Sequence, residues 1–161
     1  YNDKKKDIAL LGSKEILEHR RKTGVIFQDF KLLPKKTVYE NVAFAMEVCG
    51  YDNRMISKRV PEILSHVGML AKKDKFIETL SDETPGTAIA RALIHDPDII
   101  IGDEPTGNLE TKNASEIILL LEKLSKEGKT IIIATHDDRL VDSLKKRVIT
   151  FHDGKIFSDR E

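Results

Sequence analysis

Two short apolar runs that end in ionisable side chains constrain the fold of this chain most strongly. Residues 99–101 lead into Asp103 and Glu104, and residues 131–134 lead into His136. Both runs are β-branched and lack polar alternation, so they predict buried strands of a parallel sheet with helices on both faces. Ligands of open α/β sheets bind outside the carboxyl ends of the strands. The two runs therefore predict a polar site at one edge of the sheet.

Further strand and helix signals complete an α/β pattern. Residues 25–27 predict a third buried strand, and the Asp153-Gly154 pair predicts a hairpin between residues 148–151 and 155–157. Capping and periodicity signals predict helices that begin after Thr37, with Glu40 completing a capping box, and at 53–70, 87–95, 110–127 and 137–146. Strand–helix alternation with a mostly helical stretch inside it predicts α/β layers with a helical insertion.

Composition narrows the class of protein. The 161 residues are 40% hydrophobic and 34% charged, which is typical of a folded globular domain rather than a disordered chain. Lys+Arg and Asp+Glu are equal in number, so the basic surface of a nucleic-acid binder is missing and no nucleic-acid partner is expected. Cys49 is the single cysteine, which rules out an intrachain disulfide and is compatible with a reducing cytosol. No apolar run approaches the roughly 20 residues of a membrane-spanning helix.

The side chains at the strand ends have complementary chemistry. The Asp103 carboxylate can hold Mg²⁺, and the Glu104 carboxylate can orient or deprotonate an attacking water molecule. The imidazole of His136 can hydrogen-bond a terminal phosphate or that water molecule. Gln28 follows the strand at 25–27, and its amide offers both an oxygen ligand and an N–H donor. These four side chains could together contact a metal ion, a phosphate group and a water molecule.

The order and spacing of these residues resemble the ABC ATPase family along nearly the whole chain. The resemblance implies a P-loop NTPase (RecA-like) core with a parallel sheet, one domain over residues 1–161 and an ABC-type helical subdomain at approximately 34–92. It also implies ATP and Mg²⁺ as cofactors and a set of site roles. These roles are Gln28 and Ser81 for nucleotide binding, Gln28 and Asp103 for the metal, Glu104 and His136 for catalysis, and Asn108, Leu109 and Glu110 as the D-loop.

Within that family, residues 27–34 and 37–42 resemble the cell-division ATPases of the FtsE type most closely. This resemblance implies a homodimer of ATPase subunits at the cytoplasmic face of the bacterial inner membrane. It implies an FtsX-like integral membrane partner and a role in regulating cell-wall hydrolases. Apolar side chains near residues 30–55 are the expected partner contacts: Phe30, Leu32, Leu33 and Tyr51.

Two other functions remain open from the sequence. The segment Asp-Glu-Pro-Thr-Gly-Asn-Leu at 103–109 is shared with lipoprotein-release and macrolide-export ATPases, so an exporter subunit is one alternative. A non-hydrolysing adaptor that docks on a membrane partner is the other. The intact Asp103-Glu104 pair and His136 argue against the adaptor.

Two phosphate-binding segments depart from the family pattern. No Gly-x-x-x-x-Gly-Lys-Ser/Thr loop occurs, and Gly128-Lys129-Thr130 leads into a strand where a P-loop would open a helix. We expect the P-loop to precede the region that matches this chain, so these 161 residues alone should not bind ATP tightly. The family has a signature motif with two adjacent glycines, and these glycines are absent after Leu80 in this chain. From this motif, only Ser81 is assigned a role.

Overall fold

A parallel sheet of three strands organises the computed structural model, which describes residues 8–80, 84–107, 109 and 111–160. Eleven helices and strands make up the described regions, apart from short 3₁₀-helices at Ile8–Leu10, Leu70–Lys72 and Ile77–Thr79. They are α1 Ser13–Arg21, β1 Thr23–Ile26, α2 Val38–Glu47, α3 Asn53–His66, α4 Thr84–Leu93, β2 Ile99–Asp103, α5 Thr111–Lys126, β3 Thr130–Ala134, α6 Asp138–Leu144, β4 Val148–His152 and β5 Lys155–Arg160.

The sheet has the order β1-β2-β3, and both neighbouring pairs are parallel. Ile26 pairs with Gly102, and Asp103 pairs with Ala134, so the three carboxyl ends lie at one edge. A β-carbon at Gly24 would lie 2.6 Å from the carbonyl oxygen of Ala92, which explains how β1 lies so close to α4. The predicted parallel strands are confirmed, although β1 begins earlier and ends earlier than predicted.

The prediction that helices cover both faces of this sheet is wrong for the described residues. Ile100 is fully buried, whereas its neighbour Ile101 is 37% exposed and Ile132 is 50% exposed. Successive strand side chains point to opposite faces, so the two exposed side chains belong to the same face. Ile101 and Ile132 are partners in the β2–β3 register. Helices α4 and α5 pack against β1 and β3, and the described part of the chain leaves one face open.

The predicted hairpin at the end of the chain is confirmed as β4 and β5, which pair antiparallel in a sheet of their own. Asp153 and Gly154 have φ angles of 48° and 73°. Positive φ at both central residues matches the right-handed twist of the two strands, which explains the Asp-Gly sequence.

Helix ends follow local signals with two corrections. The capping box is confirmed: Thr37 Oγ1 accepts the Glu40 N–H at 3.1 Å, and the Glu40 carboxylate accepts the Thr37 N–H at 2.8 Å. Helix α3 runs through Pro61 but ends at His66, not at residue 70. Gly68 has a φ of 74°, and the Met69 N–H donates to the Leu64 carbonyl at 2.7 Å, which closes the helix as a Schellman motif. Helix α4 begins and ends earlier than the predicted 87–95.

The largest part of the core lies among α2, α3 and α4. Val38, Val42, Val60, Leu64 and Ile89 are fully buried there. Within the described residues, no strand lies between β1 and β2, in agreement with the predicted helical insertion. The boundaries 34–92 of a separate subdomain stay a prediction. None of the helices in the described part of the chain combines the length and apolar composition that a membrane crossing needs.

Candidate functional site

The ends of β2 and β3 bring Glu104 and His136 together. The Glu104 N–H donates to the Ala134 carbonyl at 2.9 Å, which extends the strand pairing one residue past Asp103. Glu104 has a φ of 46°, an unfavourable region for a residue with a β-carbon. This turn directs the chain away from the sheet immediately after the two carboxylates.

Three donors hold the Glu104 carboxylate. Its Oε1 accepts the backbone N–H of His136 at 2.8 Å and lies 2.5 Å from Nδ1 of the same residue. Its Oε2 accepts the hydroxyl of Thr135 at 2.9 Å. The Glu104 side chain is 14% exposed, whereas the His136 side chain is 86% exposed. The carboxylate is thus fixed in position beneath an imidazole that faces solvent.

Opposing effects set the pKa of Glu104. Burial raises the pKa of this carboxyl group, but hydrogen bonds from the His136 ring, the Thr135 hydroxyl and the His136 N–H lower it, and the pKa lies below its ordinary value. Glu104 is therefore ionised at neutral pH. A weakly basic, well-fixed carboxylate is better suited to orienting a water molecule than to removing its proton early.

The same contact determines what the His136 ring can offer. A hydrogen bond between Nδ1 and a carboxylate requires the proton on Nδ1. The neutral ring then presents Nε2 as an acceptor, and only the protonated ring presents an Nε2–H donor. The chain after His136 is held as well, because Asp137 caps α6 by accepting the N–H groups of Arg139 and Leu140 at 3.0 and 3.4 Å.

Asp103 and Gln28 lie at the same edge of the sheet. Asp103 is the exposed last residue of β2, and Gln28 is exposed in the turn after β1. Ile26 of β1 pairs with Gly102 of β2. Gln28 lies two residues after Ile26, and Asp103 lies one residue after Gly102. The two predicted oxygen ligands therefore follow adjacent strand ends.

The remaining predicted site residues divide into two groups. Ser81, Asn108 and Glu110 lie outside the described residues. Leu109 is half-buried against the hydrophobic core, and its N–H donates to the Thr106 carbonyl at 3.1 Å. Leu109 is therefore held by the core and by the preceding turn.

A groove of about 960 Å³ opens beside Glu104 and His136. Helices α5 and α6 form its walls, with Ile118 and Leu119 on one side and Leu140 on the other. The groove gives the two polar side chains room for a ligand or a partner segment.

Thr135 is not among the predicted site residues, although it directly precedes His136. Its hydroxyl donates to Glu104 and accepts the Asp137 N–H at 3.1 Å. A hydroxyl residue directly before a histidine at a strand end is the signal that could have identified it.

Comparisons with known proteins give consistent similarities. Residues 2–107 match the family described as ABC transporter. The chain is 48% identical to the cell division ATP-binding protein FtsE of Streptococcus pneumoniae serotype 2 (strain D39 / NCTC 7466) over 97% of this chain and 65% of that protein. It is 48% identical to FtsE of Bacillus subtilis (strain 168) over 96% of this chain and 68% of that protein. The chain thus spans about two thirds of the length of these curated relatives.

Solved structures agree with these sequence matches. The protein cbiO1 from Clostridium perfringens, part of the ABC transporter complex cbiONQ, superposes on this chain with a TM-score of 0.81. The two are 35% identical over 92% of this chain and 60% of that chain. The dimeric ATP-binding cassette MJ0796, in a post-hydrolysis state bound to ADP and Pi, superposes with a TM-score of 0.78 at 32% identity, over 94% of this chain and 68% of that chain. The predicted α/β fold with its parallel sheet and helical part is the fold of these proteins.

Proposed function

The chain belongs to the ABC transporter family, and we propose that its protein hydrolyses ATP as the ATPase subunit of an FtsE–FtsX-like complex in bacterial cell division. The observation that carries the proposal is the Glu104–Thr135–His136 network at the carboxyl ends of two parallel strands. It occurs in a chain that is 48% identical to FtsE of two bacteria. A scaffold without catalysis has no need of an ionised carboxylate fixed by three donors.

Glu104 is the group proposed to act on the attacking water. Its three donors leave the carboxylate ionised and restrict its rotation, so a water molecule bound to it has a fixed position. Positioning and charge stabilisation account for most of the catalysis of phosphoryl transfer. Proton removal can therefore come late, when the phosphoryl group has largely left its leaving oxygen.

His136 is proposed to contact the γ-phosphate end of the nucleotide. With Nδ1–H directed at Glu104, the protonated ring can donate from Nε2 to a phosphate oxygen. The neutral ring accepts from a water molecule instead. The ring is exposed, so its Nε2 is accessible to a ligand in either state.

Asp103 and Gln28 are the residues proposed to hold Mg²⁺. A carboxylate and an amide oxygen at adjacent strand ends fit the preference of this hard cation for oxygen ligands. Bound Mg²⁺ would neutralise charge on the phosphate oxygens. Ser81 is proposed as a further nucleotide contact, and the D-loop is proposed at Asn108, Leu109 and Glu110.

An apolar part of α2 supports docking on an FtsX-like integral membrane protein at the cytoplasmic face of the membrane. Phe44 is 45% exposed, and Val48, one turn further at the helix end, is 65% exposed. Exposed apolar groups of this size, when they are contiguous, mark interaction sites. Of the contacts expected from the sequence, Phe30, Leu32 and Tyr51 are half-buried against the core and so are poor candidates. A homodimer of ATPase subunits is proposed by analogy with the dimeric cassette.

ATP turnover by the protein expressed from its complete reading frame tests this function. Glu104→Gln is expected to lower kcat by about 10²–10⁴-fold and to leave ATP binding largely intact, because it removes the proton acceptor. Glu116→Gln makes the same change at an exposed position of α5 and should leave turnover unchanged. His136→Ala should lower kcat more than it lowers ADP affinity. Wild-type turnover in Glu104→Gln would remove Glu104 from the mechanism.

A further inference from the structure

The loop that follows Gln28 has an unusual backbone. Phe30 and Lys31 have φ angles of 56° and 47°, so two consecutive residues with β-carbons are left-handed. This region is sterically unfavourable for such residues, and consecutive examples are rarer than single ones. The conformation persists only where other contacts hold it.

Arg91 of α4 supplies such contacts. Its Nη1 donates to the Lys31 carbonyl and its Nη2 donates to the Phe30 carbonyl, both at 2.6 Å. The planar guanidinium fork matches the two carbonyl oxygens, which the left-handed turn presents side by side. A lysine ammonium in the same place is a single point charge and cannot reproduce this geometry.

The other contacts of the loop are of a different kind. The Phe30 N–H donates to the Phe27 carbonyl at 2.9 Å, and the Lys31 side chain pairs with Asp29 at 2.5 Å. These contacts are local and move with the loop. At its far end, the Leu33 N–H donates to Asn41 of α2 at 2.7 Å. The Phe30 side chain also packs against the hydrophobic core, so Arg91 supplies the polar contact of the left-handed residues with α4, from 60 residues further along the sequence than Lys31.

We propose that Arg91 is a positioning residue that fixes the loop after Gln28 to α4, and thereby fixes Gln28 at the strand edge. The inference rests on the proposed function, because it assigns the purpose of this contact to the ATPase site. Helix α4 directly follows the segment that contains Ser81 in the sequence. A displacement of α4 would pull the Phe30 and Lys31 carbonyls with it, and with them the loop that follows Gln28.

The partial burial of the Arg91 guanidinium is consistent with a structural role. Burial lowers the pKa of Arg91, yet arginine remains protonated in proteins, so the fork keeps its donors at every working pH. The Arg91 side chain is half-buried beside a cavity of about 290 Å³ that Phe27 and Lys31 also line.

Three variants separate this role from a general loss of stability. Arg91→Met removes both donations, and Arg91→Lys keeps a charge but loses the fork. Arg59→Met is the matched control, because Arg59 also donates to a carbonyl next to α4, that of Ile94 at 3.3 Å, without contacting the loop after Gln28. All are made in the protein expressed from its complete reading frame.

Hydrogen exchange gives the first readout, and it needs no enzymatic activity. In Arg91→Met, exchange of the amides at residues 28–33 should rise about tenfold, as expected for the loss of two hydrogen bonds. Arg91→Lys should give a smaller rise, and Arg59→Met should leave this segment unchanged. Unchanged exchange at 28–33 in Arg91→Met overturns the inference, whatever the ATPase activity.

A double-mutant cycle with Gln28→Ala gives the second readout. If Arg91 acts through Gln28, Arg91→Met should lower kcat about tenfold or more in the wild-type background and by no more than about twofold once Gln28 is gone. Arg59→Met should have the same effect in both backgrounds. Equal losses from Arg91→Met in both backgrounds overturn the positioning role. A wild-type protein without ATP turnover overturns the proposed function instead, and the exchange experiment still decides the contact.

Discussion

Asn41 connects α2 to the loop that follows Gln28, and its replacement should measurably destabilise the protein. Its side chain is 1% exposed. Its Oδ1 accepts the Leu33 N–H at 2.7 Å, and its Nδ2 donates to the Leu33 and Thr37 carbonyls at 3.1 and 2.9 Å. A further contact with the Lys36 carbonyl at 3.4 Å is too long to contribute much.

These distances set the expected magnitude for Asn41→Ala. Three well-formed hydrogen bonds at about 1 kcal/mol each give an upper value of about 3 kcal/mol. The Thr37 carbonyl keeps a partner, because it also accepts the backbone N–H of Asn41 at 3.0 Å. The loss should therefore come mainly from the Leu33 N–H and carbonyl, and we expect a decrease of about 2–3 kcal/mol in the free energy of unfolding.

Urea unfolding with linear extrapolation measures this change. Asn53→Ala is the control, because it makes the same substitution at an exposed helical position and should cost no more than about 0.5 kcal/mol. Asn41→Asp should be worse than Asn41→Ala at neutral pH, since its carboxylate faces the Leu33 and Thr37 carbonyls without a proton to donate. An Asn41→Ala protein within about 0.5 kcal/mol of the wild type would refute the reasoning.

Two further predictions concern α2. Phe44→Glu combined with Val48→Glu should abolish capture by an FtsX-type membrane protein and preserve ATP turnover. Leu17→Glu, on α1 and 55% exposed, is the control and should preserve both; retained capture in the double variant would place the docking surface elsewhere. The Thr37 N–H, together with Lys36, lowers the pKa of Glu40 to about 2 from 4.5. The stability due to ionised Glu40 is therefore fully present above pH 4.5 and is lost as the pH falls through about 2, so the melting temperatures of wild type and Glu40→Gln should converge over that range and not at neutral pH.

The sequence by itself determined the features that depend on neighbouring residues. The Asp153-Gly154 turn follows from backbone preferences of its own two residues. The capping box at Thr37 and Glu40 follows from contacts within one helical turn. The apolar run before Asp103 and Glu104 also placed these two residues at a strand end. Parallel strands align their carboxyl ends, so this end lies at the same edge of the sheet as the others.

The end of α3 differs from the end that apolar periodicity predicted. Apolar periodicity extended the predicted helix to residue 70, but Gly68 adopts a left-handed conformation that closes it at His66. The glycine was visible in the sequence. Its effect depended on the Met69 N–H reaching the Leu64 carbonyl, which is a property of the folded turn.

Only the tertiary structure decided the contacts between distant segments. Thr135 reaches Glu104 across 31 residues, and Arg91 reaches Phe30 across 61. Likewise, the exposure of Ile101 and Ile132 within the described residues depends on which of these elements pack on the sheet, and not on the apolar character of the strands. Residue preferences act over a few positions, whereas these contacts depend on the path of the whole chain, so no local pattern specifies them.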